Sequence, residues 1–346
     1  MSSGSHRFVR TVLRQPTYGW VSATNRPSDA TIRGEFLRRL DPRAGRHQWL
    51  PITVWTVNAL FLATLLVYLV GFFTWSSLAV GVAYAFLFLP QYGTFYFHRY
   101  GTHRAWRFAH PAFAFLAKHA AIRVIPEEVY IVSHHVHHTL ADADGDPYDP
   151  RGGWWYCFLA DVNHQAIATD LDADDHARAR GLLSHLFIGA NDYAGYQRWG
   201  SIVHPAALAA DLLLNWLFWA GLLTLVGGPS LALAVFGCTT FWLWGIRNFN
   251  FLAHGRGGDE RREGEDFHRA DLSVNRTLSA WLASEWHNNH HLFPRSARAG
   301  FLPYQLDVVW WTVRALAAVG IIASYRDDTE RFYVEHYRPW LESRRA

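Results

Sequence analysis

Cysteine is nearly missing from this chain: of 346 residues only Cys157 and Cys238 carry a thiol. One falls in a polar segment and the other in an apolar run, so no disulfide framework and no thiolate metal cluster is expected. Charge is missing over a longer stretch. Between Gln48 and Phe97 there is no Asp, Glu, Lys, Arg or His, a pattern no soluble helix pair shows. A bilayer core needs roughly 20 apolar residues per helix, so this block predicts two spans, at 50–73 and 75–97, joined by a short hairpin.

A second charge-free block runs from Leu212 to Ile246, interrupted at Val226, Gly227, Gly228, Pro229 and Ser230 by residues suited to a turn. It predicts spans at 206–226 and 231–251, with Asp211 near the entry to the first of them. No cleavable signal peptide is expected, because the first thirty residues are polar. The net charge of +3 is too small to argue for a nucleic-acid partner.

Arginine is plentiful in one place. Arg7, Arg10, Arg14, Arg26, Arg33, Arg38, Arg39, Arg43 and Arg46 all precede the first span, and cytosolic segments keep an excess of basic residues. The expected architecture is an all-α integral membrane protein with four transmembrane helices. A cytosolic N-terminal segment (1–47) precedes a membrane domain (48–326), whose cytosolic helical cap comprises 98–205 and 252–326, and a tail (327–346) follows. Both termini lie on the cytosolic side. Pro111 to Ile125 is apolar but holds Lys118, His119 and Arg123, as an amphipathic helix at the membrane interface would.

Histidine is abundant, with 20 in the chain. Four clusters stand at or beyond the cytosolic ends of the spans: His98 and His103; His134, His135, His137 and His138; Asn250 and His254; His287, His290 and His291. Positions three and four apart share a helix face, so each H-x2-H-H triplet is expected to project its rings at a common point, and Asn250 pairs with His254. His135 points away from its triplet. His98 and His103 are about 140° apart on an ideal helix. Either the helix loosens between them, helped by Gly101, or they serve different metals.

Imidazole suits zinc, copper, iron and nickel. Nine histidines overfill one ion and suit two, each with four or five nitrogens and a position left for oxygen. A carboxamide is a weak ligand, so Asn250 is expected to contribute through a water. The run of Asp142, Asp144, Asp146 and Asp149 resembles a calcium loop, but Pro147 and Gly153 occupy the positions where that loop needs Gly and Glu. It predicts instead a turn-rich loop that accepts hydrogen bonds from ligand imidazoles. A metal transporter is disfavoured, since the spans carry no histidine or carboxylate at mid-depth.

In its four boxes the chain resembles the membrane fatty acid desaturases, particularly the branch with stearoyl-CoA delta-9 desaturases. The boxes are H-x4-H at His98 and His103, H-x2-H-H at His134, His137 and His138, N-x3-H at Asn250 and His254, and H-x2-H-H at His287, His290 and His291. The flanking strings "GDPYDP" and "HNNHHLFPRSARAG" are similar too, and the likeness covers roughly Leu50 to Arg326.

The resemblance implies a di-iron enzyme, a paired-donor oxidoreductase. It would use O2 and two external electrons to place a cis double bond in an acyl chain, with the delta-9 position favoured and no catalytic residues beyond the ligands. The acyl group would arrive on coenzyme A, a carrier protein or a lipid. Electrons would come from a ferredoxin, or from a cytochrome b5 with its reductase, since the His-Pro-Gly-Gly signature of a fused cytochrome b5 domain is missing. A lipid-chain hydroxylase with similar boxes is the alternative. The family often has a Gly-Glu-Gly-type stretch before the last box, where this chain reads "ASEWHNNHH".

Overall fold

The computed structural model of the chain describes residues 3–345. The charge-free blocks form three apolar helices long enough to cross a bilayer. These are α3 (Trp49–Gly71), α4 (Trp75–Thr102) and α7 (Pro205–Ala253). Ahead of them lie α1 (Ser3–Thr11) and α2 (Asp29–Arg39).

The longest helix, α7, is broken where the sequence predicts a turn. Gly228 has φ 75° and Gly227 is non-helical at φ −143°, just before Pro229. A left-handed glycine costs no Cβ clash, and a following proline cannot continue the ladder. The chain therefore doubles back. Phe61 of α3 meets the ring of Trp216 at 5.5 Å and that of Phe236 at 5.6 Å, although a straight helix would hold those two roughly 30 Å apart. The two hairpin turns touch: the Ser230 hydroxyl donates to the Phe72 carbonyl at 2.7 Å.

Small residues let these helices approach closely. A Cβ on Gly237 would lie 2.6 Å from the Leu65 Cα, and one on Gly81 would lie 2.8 Å from the Ala234 carbonyl oxygen.

At the opposite end from the turns, α4 runs past 97, where the sequence pattern ends it, as far as Thr102. Its last stretch, Gly93–Thr102, is π-helical. Next come α5 (Pro111–His119) and α6 (Glu127–Leu140). The helix expected over Pro111 to Ile125 stops at His119, and the cations Lys118 and Arg123 of that stretch are buried rather than solvated at an interface. Arg123 pairs with Glu127 at 2.7 Å and with Asp211 of α7 at 2.9 Å, and Lys118 reaches Asp211 at 3.1 Å.

The N-terminal segment packs on the same end: the Arg14 amide donates to the Ala166 carbonyl at 2.7 Å and Asn163 Nδ2 to the Ile32 carbonyl at 3.0 Å. Among the further helices here are α8 (Leu278–Ala283), α9 (His287–Leu292) and α10 (Val308–Ala318). The fold is not purely helical, because β1 (Trp106–Phe108) pairs antiparallel with β2 (Ile322–Tyr325) and ties the end of α4 to the C-terminal part.

Candidate metal centre

The π-helical end of α4 decides how the first two histidines act. Its hydrogen bonds run five residues back, as from the His103 amide to the His98 carbonyl at 3.2 Å. One wider turn brings positions five apart onto one face. Of the two alternatives left open by an ideal helix, loosening is the one observed, and both rings join one group.

The two triplets do not each converge at a single point, contrary to the sequence expectation. His134 and His138 join His98, His103 and His290, while His137 joins His254, His287 and His291. Successive residues on a helix point about 100° apart, so each box sends an i,i+4 pair to one side and its middle histidine to the other. The nine rings form a group of five and a group of four, with ligand atoms in each within 4.8 Å of one another. His135 enters neither group and is half-buried on the flank of α6.

Carboxylates stand behind the rings. His98 Nδ1 donates to Glu285 at 2.8 Å, His137 Nδ1 to Asp146 at 2.9 Å, His254 Nδ1 to Asp142 at 3.0 Å and His291 Nδ1 to Asp271 at 2.6 Å. His268 shares Asp271, at 3.2 Å. Each bond fixes the Nδ1–H tautomer and leaves the Nε2 lone pair facing inward. His137 Nε2 and His254 Nε2 then face each other at 3.1 Å with no proton to share. Two lone pairs aimed at one point in a dry interior repel, and a cation between them reverses the sign.

For most of the rings the electrostatics agree; at His254 burial, which lowers its value, is outweighed by the facing Asp142, which raises it. Burial, reinforced by neighbouring rings, holds His134, His138, His287 and His290 well below the ordinary imidazole value, so they are neutral, as ligation requires. Burial alone would raise the Asp271 and Glu285 carboxyls, but the imidazoles facing them outweigh it and keep both ionised. His291 Nε2 and Asn250 Oδ1 are buried with no hydrogen-bond partner. Such an atom costs about 1–3 kcal/mol, a cost removed by coordination to a cation or its water. Neutral nitrogen donors in groups of five and four, backed by carboxylates, fit two transition-metal ions.

The surroundings hold this geometry. Arg99, fully buried beside His98, donates to both Asp307 oxygens at 3.0 Å and to the Ser284 carbonyl at 2.5 Å, which fixes the residue before Glu285. The two asparagines inside the last box brace a helix of only six residues. Asn288 Nδ2 donates to the Ser273 carbonyl at 2.8 Å, and Asn289 Nδ2 to that of Ala299 at 2.7 Å.

Two cavities reach the five-histidine group. One of about 390 Å³, between α4, α7 and α8, is lined by Thr94, His98, Trp242 and Leu282, and its rim residues Phe86 and Phe241 are exposed. A smaller one of about 70 Å³ is lined by Val54, Asn58, His134 and Asn250. Tyr130, Ile246 and Phe249 border both. A Cβ on Gly93 would sit 3.0 Å from the Trp242 ring, so glycine lets that indole form a wall.

The sequence model of fatty acid desaturases matches residues 73–318. The chain belongs to the fatty acid desaturase family. Over 240 residues it is 28% identical to the icosanoyl-CoA 5-desaturase of Limnanthes douglasii, covering 68% of this chain and 61% of that one. It is 28% identical over 265 residues to the acyl-CoA C20 Delta5-desaturase of Anemone leveillei, with 75% and 76% covered. Identity to the delta-9 acyl-lipid desaturase 2 of Arabidopsis thaliana is 26% over 269 residues, with 75% and 78% covered. The chain thus spans about three-fifths of the length of the first of these relatives.

In this desaturase-family chain the sequence spacing had indicated the nine histidines and the acidic loop, of which Asp142 and Asp146 touch imidazoles. Asp144 is exposed and Asp149 pairs instead with Arg151, at 2.5 Å. Glu285, Asp271 and Tyr130 were missed. Glu285 carried a signal, being the one residue kept from the Gly-Glu-Gly-type stretch, but nothing local marked Asp271 or Tyr130.

Proposed function

We propose that the chain is an oxygen-dependent acyl desaturase that holds two iron ions. The single observation that carries this is the pair of inward-facing nitrogen clusters, four of whose rings are oriented by carboxylates, beside an apolar cavity in a family of desaturases. His98, His103, His134, His138 and His290 would hold one ion. His137, His254, His287 and His291 would hold the other, with Asn250 contributing through a water. When bound, the irons supply the redox chemistry that couples O2 reduction to the removal of two hydrogens from adjacent methylenes.

The chain's own residues bind and place the substrate. Trp242, Phe249, Ile246 and Tyr130 shape an apolar passage that keeps water from the acyl chain, and positioning of this kind dominates what a protein adds to cofactor chemistry. Asp142, Asp146, Asp271 and Glu285 hold the Nδ1 protons of His254, His137, His291 and His98, so that these four rings keep their orientation and tautomer. The atoms balance: O2 takes two hydrogens with their electrons from the acyl chain, two electrons from a separate donor and two protons from water, giving two waters and one alkene. The acyl chain, on coenzyme A, a carrier protein or a lipid, receives a cis double bond, with the delta-9 position favoured.

With the two halves of α7 counted separately the proposed topology has four spans, and the arginine-rich N-terminal segment, packed on the histidine end, supports a cytosolic site with both termini on that side. Residues 1–47, 48–326 and 327–346 then serve as N-terminal segment, membrane domain and tail.

The test is lipid analysis of cells expressing the chain, by mass spectrometry with double-bond localisation. A new alkene is expected with the wild-type chain and none with His137→Ala or His290→Ala. Hydroxylated lipid without alkene would replace desaturation by hydroxylation, and full activity in either variant would remove the metal assignment.

A further inference from the structure

The two histidine groups differ in exposure. All four rings of His137, His254, His287 and His291 are buried, whereas His103 and His138 of the five-histidine group are only half-buried. One edge of that group therefore comes close to the protein surface. His135, one turn before His138 on α6 and also half-buried, stands on the same flank.

Two exposed cations flank this edge. Arg104, directly after His103, and Arg295, just past the last box, are both exposed. They are the charged groups acting on the His135 ring, with no carboxylate opposing them. Arg104 has a left-handed backbone at φ 51°, uncommon for a residue with a side chain. Its guanidinium donates to the Gly181 carbonyl at 2.8 Å, so its position is fixed rather than free. A fixed cationic rim around a near-surface edge steers an anionic partner and orients it on arrival.

We propose that an acidic one-electron carrier protein docks over Arg104, His135 and Arg295, and that both external electrons enter through the five-histidine group rather than the buried four-histidine group. The inference rests on the desaturase reading and names the partner surface of that site. Each docked carrier is oxidised by one electron, and two successive encounters supply the two electrons the reaction requires.

The experiment uses the full chain in detergent, with two probes: a soluble cytochrome b5 domain and a plant-type [2Fe–2S] ferredoxin. Equilibrium binding of each oxidised probe is measured at low and high salt, and reduction of the metal-loaded chain is followed by stopped flow. With Arg104→Glu plus Arg295→Glu, binding of at least one probe is expected to weaken about tenfold or more at low salt, and the difference should shrink as salt screens it. Reduction by that probe should slow in parallel while reduction by dithionite is unchanged.

Unchanged binding and reduction in the double variant, or no binding of either probe by the wild-type chain, would overturn the proposal. Failure of dithionite to reduce the wild-type chain, or iron missing from it by elemental analysis, would instead count against the desaturase reading; the binding measurement still decides the docking surface.

Discussion

Glu285 is the residue whose role reaches furthest beyond its own position. It holds His98 of one group at 2.8 Å and lies 3.9 Å from His287 of the other, so one carboxylate faces both. Replacing a group that orients a ligand typically costs 10- to 100-fold in metal affinity. Glu285→Gln is expected to lower affinity within that range, read by competition with a chelator of known strength, with the fold retained. A second buried acid gives a pH signature. Burial pushes Glu128 up to about 8 against backbone amides that favour its ionised form, and the Val203 amide donates to it at 2.7 Å.

The folded chain therefore keeps that proton between about 4.5 and 8, where the unfolded chain has lost it. This contribution to stability is complete below the lower value and declines as pH rises through the window. Glu128→Gln removes the decline. Its melting temperature should exceed that of the wild-type chain at pH 8, reflecting a stability difference on the order of a few kcal/mol, and match it near pH 4.5. Equal melting temperatures at pH 8 would contradict the buried neutral acid.

Among the elements, α4 shows what sequence periodicity reveals and what it hides. The apolar run placed the helix, but a period of 3.6 separates His98 from His103, and only the π-helical end reunites them. Gly101 is part of that end: a Cβ there would lie 2.9 Å from the Tyr96 carbonyl oxygen and 2.9 Å from Ile131. Gly101→Ala should displace His103 and lower metal content in the five-histidine group while sparing the other, as the metal-to-protein ratio would show. The division of each H-x2-H-H box was equally hidden, because spacing says which rings share a face, not which neighbouring element meets that face. Asp271 could not be recognised, since it meets His291 across a loop and has no helical register with it.

The helix pairing depends on small residues in the same way. At Gly237 the obstacle to a side chain is the Leu65 backbone, which cannot swing aside. Gly237→Leu is therefore expected to prise α3 from the second half of α7. Thermal unfolding in detergent should begin at a lower temperature, reflecting an overpacking cost of about 1–3 kcal/mol or more.

For the whole molecule, the charge-free runs and the glycine–proline break made the helical hairpins legible from sequence. The short β1–β2 pair was not, being too brief to show alternation. The architecture sends both hairpin turns to one end and the nine clustered histidines to the other, so the candidate metal groups lie where α4 and α7 end. Nine rings are supplied by α4 and the residue that ends it, by α6 and α9, and by the residue that ends α7, and no single element could hold either ion alone. The measurement that tests this most directly is the metal-to-protein ratio of the purified chain, compared with His103→Ala plus His138→Ala and with His254→Ala plus His287→Ala. Two ions of iron per wild-type chain and about one in each paired variant is the result expected. A wild-type ratio of one, or a ratio unchanged in either variant, would contradict two separate histidine sites.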